Sequence, residues 1–275
     1  MPLHLEAIAG DAIHKELFTW TVMEGIDGCD SVYISKDRTF YHVQAPMKDQ
    51  DTCEQIVKIV YTLRDDNEKK IREILDIDLV LDNPQYTTLY FDRMRDKSSD
   101  SNEYYDVVTS DKGQHLTIET VNRRTVEEEI LDTDRQASIS LFPFQLTVFR
   151  DLEELNRWAG YPHKIEVGDF QMDLGGLGEK FAMPGGLFAE EGEEEECYSV
   201  LVGTVTSMRD VCVRMGKHDV SFAIAWIECA LGCVPAAMSR EVFLLDELKP
   251  GCVICMNVDV KADLSTPDVF LRARG

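Results

Sequence analysis

The chain has 275 residues, 44% of them hydrophobic and 29% charged, which is enough apolar material to bury a core and too much for a disordered chain. Its formal net charge is −23, a field that opposes the phosphate backbone of nucleic acid as a general partner. The start, Met1-Pro2-Leu3-His4-Leu5-Glu6, reads as no export signal. The most apolar stretch, 221–238, is broken by Glu228, Gly232 and Pro235, so no membrane segment is expected. The eight cysteines are then expected as reduced thiols in the cytoplasm.

The charge is unevenly spread: −12 over 1–150, −10 over 151–196 and −1 over 197–275. The middle stretch also concentrates Gly175, Gly176, Gly178, Gly185 and Gly186 and the acidic run 190–196. It reads as a connector, dividing the chain into an α+β domain (1–160), a Gly-rich and acidic link (161–196) and a C-terminal β-rich domain (197–275). No internal repeat is visible.

In chain order, 31–34 and 39–43 flank a turn and predict a hairpin. Cys53, Ile56, Val57, Val60 and Leu63 recur at helical spacing behind a possible Asp49 or Asp51 cap, predicting an amphipathic helix. A second short helix from Asn67 would place Ile71, Ile74 and Leu75 on one face. Strands are expected at 79–81, 85–91, 104–108, 114–120, 138–141 and 145–149, the last two separated by Pro143. The strongest helix signal is Asp151-Leu152-Glu153-Glu154, a capping pattern that runs to Trp158 and is closed by Gly160 and Pro162.

In the last eighty or so residues, 200–207 predicts a strand with a bend at Gly203. Val211, Val213 and Met215 alternate with polar neighbours, and Gly216-Lys217-His218 turns the chain. Phe222, Ile224 and Trp226 alternate with alanines, favouring a strand over a helix at 222–231. After Lys249-Pro250-Gly251, residues Ile254, Met256, Val258 and Val260 face one way, while Asn257, Asp259 and Lys261 face the other. A short helix is expected at 239–248.

This pattern over 197–275 resembles the OB fold, a small β-barrel. An SH3-like barrel is the alternative, because the expected helix immediately precedes the last strand. The fold class expected overall is α+β: an N-terminal mixed sheet with two or three helices, then a small β-barrel. OB-like barrels bind oligonucleotides, sugars or proteins on one face, and the fold alone does not choose among them.

Chemical constellations are sparse. Cys229-x₃-Cys233 and Cys252-x₂-Cys255 have the spacing of zinc knuckles. In an extended strand, however, Cys252 and Cys255 point to opposite faces, so no metal is expected. Gly175-Gly176-Leu177-Gly178-Glu179-Lys180 lacks the ending of a phosphate loop. Neither Cys29 nor Cys53 forms a recognisable dyad with His42. His163 with Glu166 or Asp169 is the one acid/base grouping that would serve an enzyme site between the domains. No cofactor is implied. The expectation is a cytoplasmic, non-catalytic binding protein engaging a protein partner, with Arg209, Arg214, Lys217 and Trp226 as contact residues, since Arg and aromatic side chains anchor such faces. The alternatives are an enzyme (a hydrolase or transferase) and a single-strand nucleic-acid-binding module. The sequence leaves the oligomeric state open.

Overall fold

The computed structural model describes residues 8, 14–23, 25–29, 31–35, 39–66, 71–95, 103–109, 113–126, 129–160, 164–167, 170–173, 178–185, 197–240, 242–243 and 245–264. Among them lie two helices, α1 (His14–Met23) and α2 (Leu152–Trp158). The rest of the regular structure is strand, with three short 3-10 turns. The expected α+β class is therefore corrected: the chain is mostly β.

A four-stranded antiparallel sheet is built from β1 (Ser31–Ile34), β2 (Phe40–Lys48), β3 (Gln55–Asp66) and β4 (Ile71–Leu81), in that order. The hairpin expected at 31–43 is its first two strands. The helix expected over 53–63 is β3, and the one expected after Asn67 is replaced from Ile71 onward by β4; residues 67–70 lie outside the described residues. The reason is local. Ile56, Val57, Ile59, Val60 and Thr62 are β-branched and favour extended backbone. Both faces of β3 are buried, which erases the period-two signature and leaves an apolar run that satisfies helical spacing by coincidence. Asp49 does not cap a helix. Its carboxylate accepts from Thr52 N–H and Oγ1, and from Cys212 N–H on another strand.

The remaining large sheet has nine strands. They are β5 (Thr87–Met94), β6 (Glu103–Thr109), β7 (His115–Thr120), β8 (Thr133–Phe149), β11 (Ala182–Pro184), β12 (Ser199–Met215), β13 (His218–Cys229), β14 (Gly232–Met238) and β15 (Val253–Leu264). Among the described residues, strands β9 (Lys164–Val167) and β10 (Phe170–Asp173) pair only with each other. The sheet draws strands from both sides of residues 161–196, and it closes on itself twice. One closed ring runs β5-β6-β7-β15-β8 and back to β5; the other runs β12-β13-β14-β8-β15 and back to β12. In each ring the first three strands form an antiparallel meander, and the third meets a borrowed strand in parallel. Strands β8 and β15 belong to both rings.

The two rings are related by a local two-fold. In one, Thr87 pairs with Ala137 and Phe91 with Thr133; in the other, Ser199 pairs with Val258 and Gly203 with Ile254. The spacing that carries Ala137 onto Val258 and Thr133 onto Ile254 also carries Ser140 onto Lys261. These two residues are themselves cross-strand partners, so the axis passes through the Ser140–Lys261 pair. Topology thus repeats where sequence does not. Inward side chains of both rings, among them Leu89, Phe91, Ile118, Ile139, Leu201, Ala225, Ile227, Ile254 and Val260, form one continuous core.

Other expectations resolve individually. Residues 138–149 belong to one strand, not two. Pro143 is tolerated because β14 pairs with β8 only at Leu141, leaving that edge without a ladder bond to lose. The α2 cap forms as read: Asp151 accepts from Glu154 N–H, Glu154 accepts from Arg150 N–H, and Gly160 closes the helix at φ 75°. Residues 222–229 are strand. The helix expected at 239–248 is only a 3-10 turn, Leu245–Glu247. Gly216 opens the two-residue turn between Met215 and His218 at φ 61°, and a Cβ there would lie 2.5 Å from Trp20 Cδ1. No helix among the described residues is long and apolar enough to cross a membrane.

Because β15 completes both rings, a chain truncated after Gly251 is expected to lose cooperative unfolding over residues 87–149 as well as over 199–238. Urea unfolding followed by tryptophan fluorescence and far-UV circular dichroism checks this. A retained cooperative transition in the truncated chain would contradict it.

Candidate functional site

Two arrangements carry chemistry, one buried and one open. The buried one follows from how the four-stranded sheet is clasped. Its odd-numbered face, Val43, Ala45, Val57, Ile59, Ile77 and Leu79, packs on Val211, Val213, Val220, Phe222 and Ile224 of the β12–β13 hairpin. Its even-numbered face carries His42, Gln44, Lys58, Asp76 and Asp78, and it meets β15 and β7. Polar groups are therefore buried between two sheets and must satisfy one another.

Lys261 is at the centre, only 1% exposed. Its Nζ lies 2.7 Å from Asp78 Oδ1 and 2.6 Å from Glu119 Oε2. Its cross-strand partner Ser140 also reaches the four-stranded sheet, where its Oγ accepts from Leu81 N–H at 2.8 Å. Asp76, Asp78 and Glu119 bring carboxylate oxygens within 4.8 Å of one another, and the ammonium supplies the positive charge there. One ammonium cannot neutralise three carboxylates, so a proton is held within the cluster. Asp76 holds it: burial, then the charge of Asp78 and a hydrogen bond to it, push the Asp76 carboxyl up to about 9. Its Oδ1 has no hydrogen-bond partner among the described residues. Burial alone would lower Lys261, but Asp78 and Glu119 outweigh it and hold the ammonium charged. On the next positions, burial raises Asp263 to about 6 against Lys58 and the Gln44 amide, and lowers His42 to about 3.

The open arrangement sits on the outer face of the second ring. Strand β12 bulges between Val205 and Ser207, where Thr206 Oγ1 donates to Trp226 O at 3.0 Å. Thr206, Ser207, Met208, Arg209, Trp226 and Cys233 line an open groove of about 420 Å³. The Arg209 guanidinium lies 5.6 Å from the Trp226 ring centroid and 2.7 Å from Glu54 Oε2, a cation–π contact pinned by an ion pair.

Of the four contact residues expected from sequence, the structure brings Arg209 and Trp226 together. Arg214 pairs with Asp219 near the tip of the hairpin, 2.5 Å apart, and Lys217 is exposed in the turn itself. Neither lines the groove. His163 and Asp169 lie outside the described residues, as do the Glu166 side chain, residues 174–177 and residues 186–196. Phe181 packs with Phe149, Leu155, Val202 and Val253. All eight cysteines are free thiols. Sequence reasoning did not find the Lys261 cluster. The available signal was Asp76-Ile77-Asp78-Leu79-Val80-Leu81, where acids alternate with aliphatics on an otherwise apolar strand.

The sequence matches no family model, and no curated protein is similar to it.

Lys261→Met strips the ammonium from two buried carboxylates and is expected to cost about 3–5 kcal/mol of stability, measured by urea unfolding. The pH dependence follows from proton linkage. Folded Asp76 keeps a proton up to about pH 9 that the unfolded chain releases near the ordinary carboxylate value, so its contribution falls as pH rises. Asp263 acts in the same sense below about pH 6, and His42 in the opposite sense between about pH 3 and 6.5. Between pH 6.5 and 9 the Asp76 contribution stands apart from both. Asp76→Asn is expected to flatten the decline in urea midpoint across that window, and an unchanged slope would contradict the assignment.

Proposed function

We propose that this chain is a non-catalytic, cytoplasmic protein-interaction module whose contact surface is the Trp226–Arg209 groove. The observation that carries the reading is the division between the two arrangements. The most strongly perturbed titratable groups are closed from solvent and join two sheets, which suits a structural lock better than an active site. The groove, by contrast, is open and pairs an aromatic with an arginine, the residue types that anchor protein contacts. The free thiols support a reducing compartment.

Strand order supports an OB-like reading over an SH3-like one. Taking β12, β13, β14, β15 and the borrowed β8 as strands one to five, strand one pairs with two and four, and strand three runs parallel to five. The Leu245–Glu247 turn falls between strands three and four, where the OB helix belongs. The groove then runs from strand one, which supplies Thr206, Ser207, Met208 and Arg209, across Trp226 of strand two to Cys233 of strand three, so it reaches the strands whose face such barrels use for ligands.

The same topology serves single-strand nucleic acid in other OB-like barrels, with bases stacking on aromatics. The net charge of −23 sets the protein reading ahead of it. Trp226 and Arg209 are half-buried and Trp226 packs against the core beneath it, so both Trp226→Ala and Arg209→Glu are compared after circular dichroism has shown them folded, and are expected to remove the same set of proteins captured from lysate by the full-length wild-type chain. Unchanged capture by both variants would contradict the groove as the contact surface. Retention of the wild type on a single-stranded oligonucleotide column, lost with rising salt, would favour the nucleic-acid reading instead.

A further inference from the structure

We infer that the partner's contacting part is a short, extended, basic segment that adds as a strand to an open stretch of the β12 edge beside the groove; this rests on the protein-binding reading above. The edge is defined by its hydrogen bonds. On the side of β12 away from β13, Val205 N–H donates to Cys252 O at 2.9 Å and Val205 O accepts from Gly251 N–H at 2.8 Å. Further along, Cys212 O accepts from Gln50 N–H at 2.8 Å, and Cys212 N–H donates to Asp49 Oδ1 at 3.0 Å. The register with β13 is unbroken from Ser207 to Met215, and backbone groups alternate sides along a strand. Met208 and Asp210 therefore point their N–H and C=O groups to the same side as Cys212. Among the described residues nothing pairs with them on that side. The edge is bonded by the Gly251–Cys252 backbone before this stretch and by the β2–β3 turn after it, leaving a gap at Met208 and Asp210 between two paired positions.

Such a gap specifies its occupant. Main-chain groups in a row recognise extended backbone, and alternate side chains of the added strand select sequence. Residues flanking the gap, Ser207 and Arg209, line the groove with Trp226, so one side chain of the added segment can rest there. Charge selects the class of segment. The acids around the gap are matched locally, Asp210 on the edge by Arg240, Glu54 by Arg209 and Asp219 by Arg214, so the preference comes from the charge of the chain as a whole. The whole chain carries −23, which repels a second copy and attracts a cationic segment.

The test uses the full-length chain and short blocked peptides. One alternates lysine with valine, one alternates glutamate with valine, and one is the lysine peptide with a central proline. Fluorescence anisotropy at low salt is expected to show the lysine–valine peptide binding at least about tenfold more tightly than the other two. Hydrogen exchange should show the Met208 and Asp210 amides slowing on binding. Asp210→Pro removes an edge N–H without removing a bond to β13 and should abolish the interaction, while Asp210→Ala retains it. The amide measurement is made on the wild type, so the test stands even where the proline variant does not fold. Absence of binding, binding without protection of these two amides, or undiminished binding to a folded Asp210→Pro chain would overturn the proposal. If the edge fails while Trp226→Ala still loses its captured proteins, the groove reading survives alone; the converse pattern leaves the edge and removes the groove.

Discussion

Strands β8 and β15 each serve two closed rings at once, and this sharing constrains nearly everything else. A strand that closes one ring satisfies its ladder on both edges and commits one face to that ring's interior. Here the same two strands do so for a second ring, related to the first by a two-fold through Ser140 and Lys261. The interiors merge into a single apolar core, so neither ring possesses a boundary along which it could separate. A connector placed by composition between residues 161 and 196 links two stretches of one sheet.

The shared ladder also explains why a lysine is buried at the centre of the molecule. The pair on the two-fold axis is the pair that meets β4: Ser140 through the Leu81 backbone, Lys261 through Asp78. The four-stranded sheet presents an apolar face to the β12–β13 hairpin and a polar one to β7 and β15. A buried ion pair of this kind adds little net stability compared with an apolar contact, but losing one member is costly. Its effect is to fix how the two sheets sit together. The surplus carboxyl group brings a retained proton with it.

How much of this was legible in the sequence depended on burial geometry. The β12–β13 hairpin, the β15 alternation and the α2 cap were readable because each carries a local signal: Gly216 in a two-residue turn, aliphatics at every second position, and Asp151 with Glu154 three residues later. β3 was misread as a helix because sheets cover both of its faces, so Ile56, Val57, Ile59 and Val60 form a run without alternation. The sharing of β8 could not be read, because pairing between residues 137 and 264 is set by long-range topology and leaves no local mark. Lys261 looked like the polar end of a half-exposed strand, since nothing near it in sequence announces Asp78 or Glu119. Trp226 and Arg209 were identified by residue type; they share a surface because Ser207 pairs with Trp226 and Arg209 lies two positions on in the same unbroken register, whereas Arg214 has the opposite parity and Lys217 sits in the turn.

Native-state hydrogen exchange across the whole sheet tests the shared ladder most directly. The account predicts that amides of residues 137–142 and 258–264 exchange only through global unfolding. The protected amides of β5–β7 and of β12–β14 should reach that same limiting free energy together as denaturant rises. Two groups of amides with separate limiting free energies, one for each ring, would contradict it.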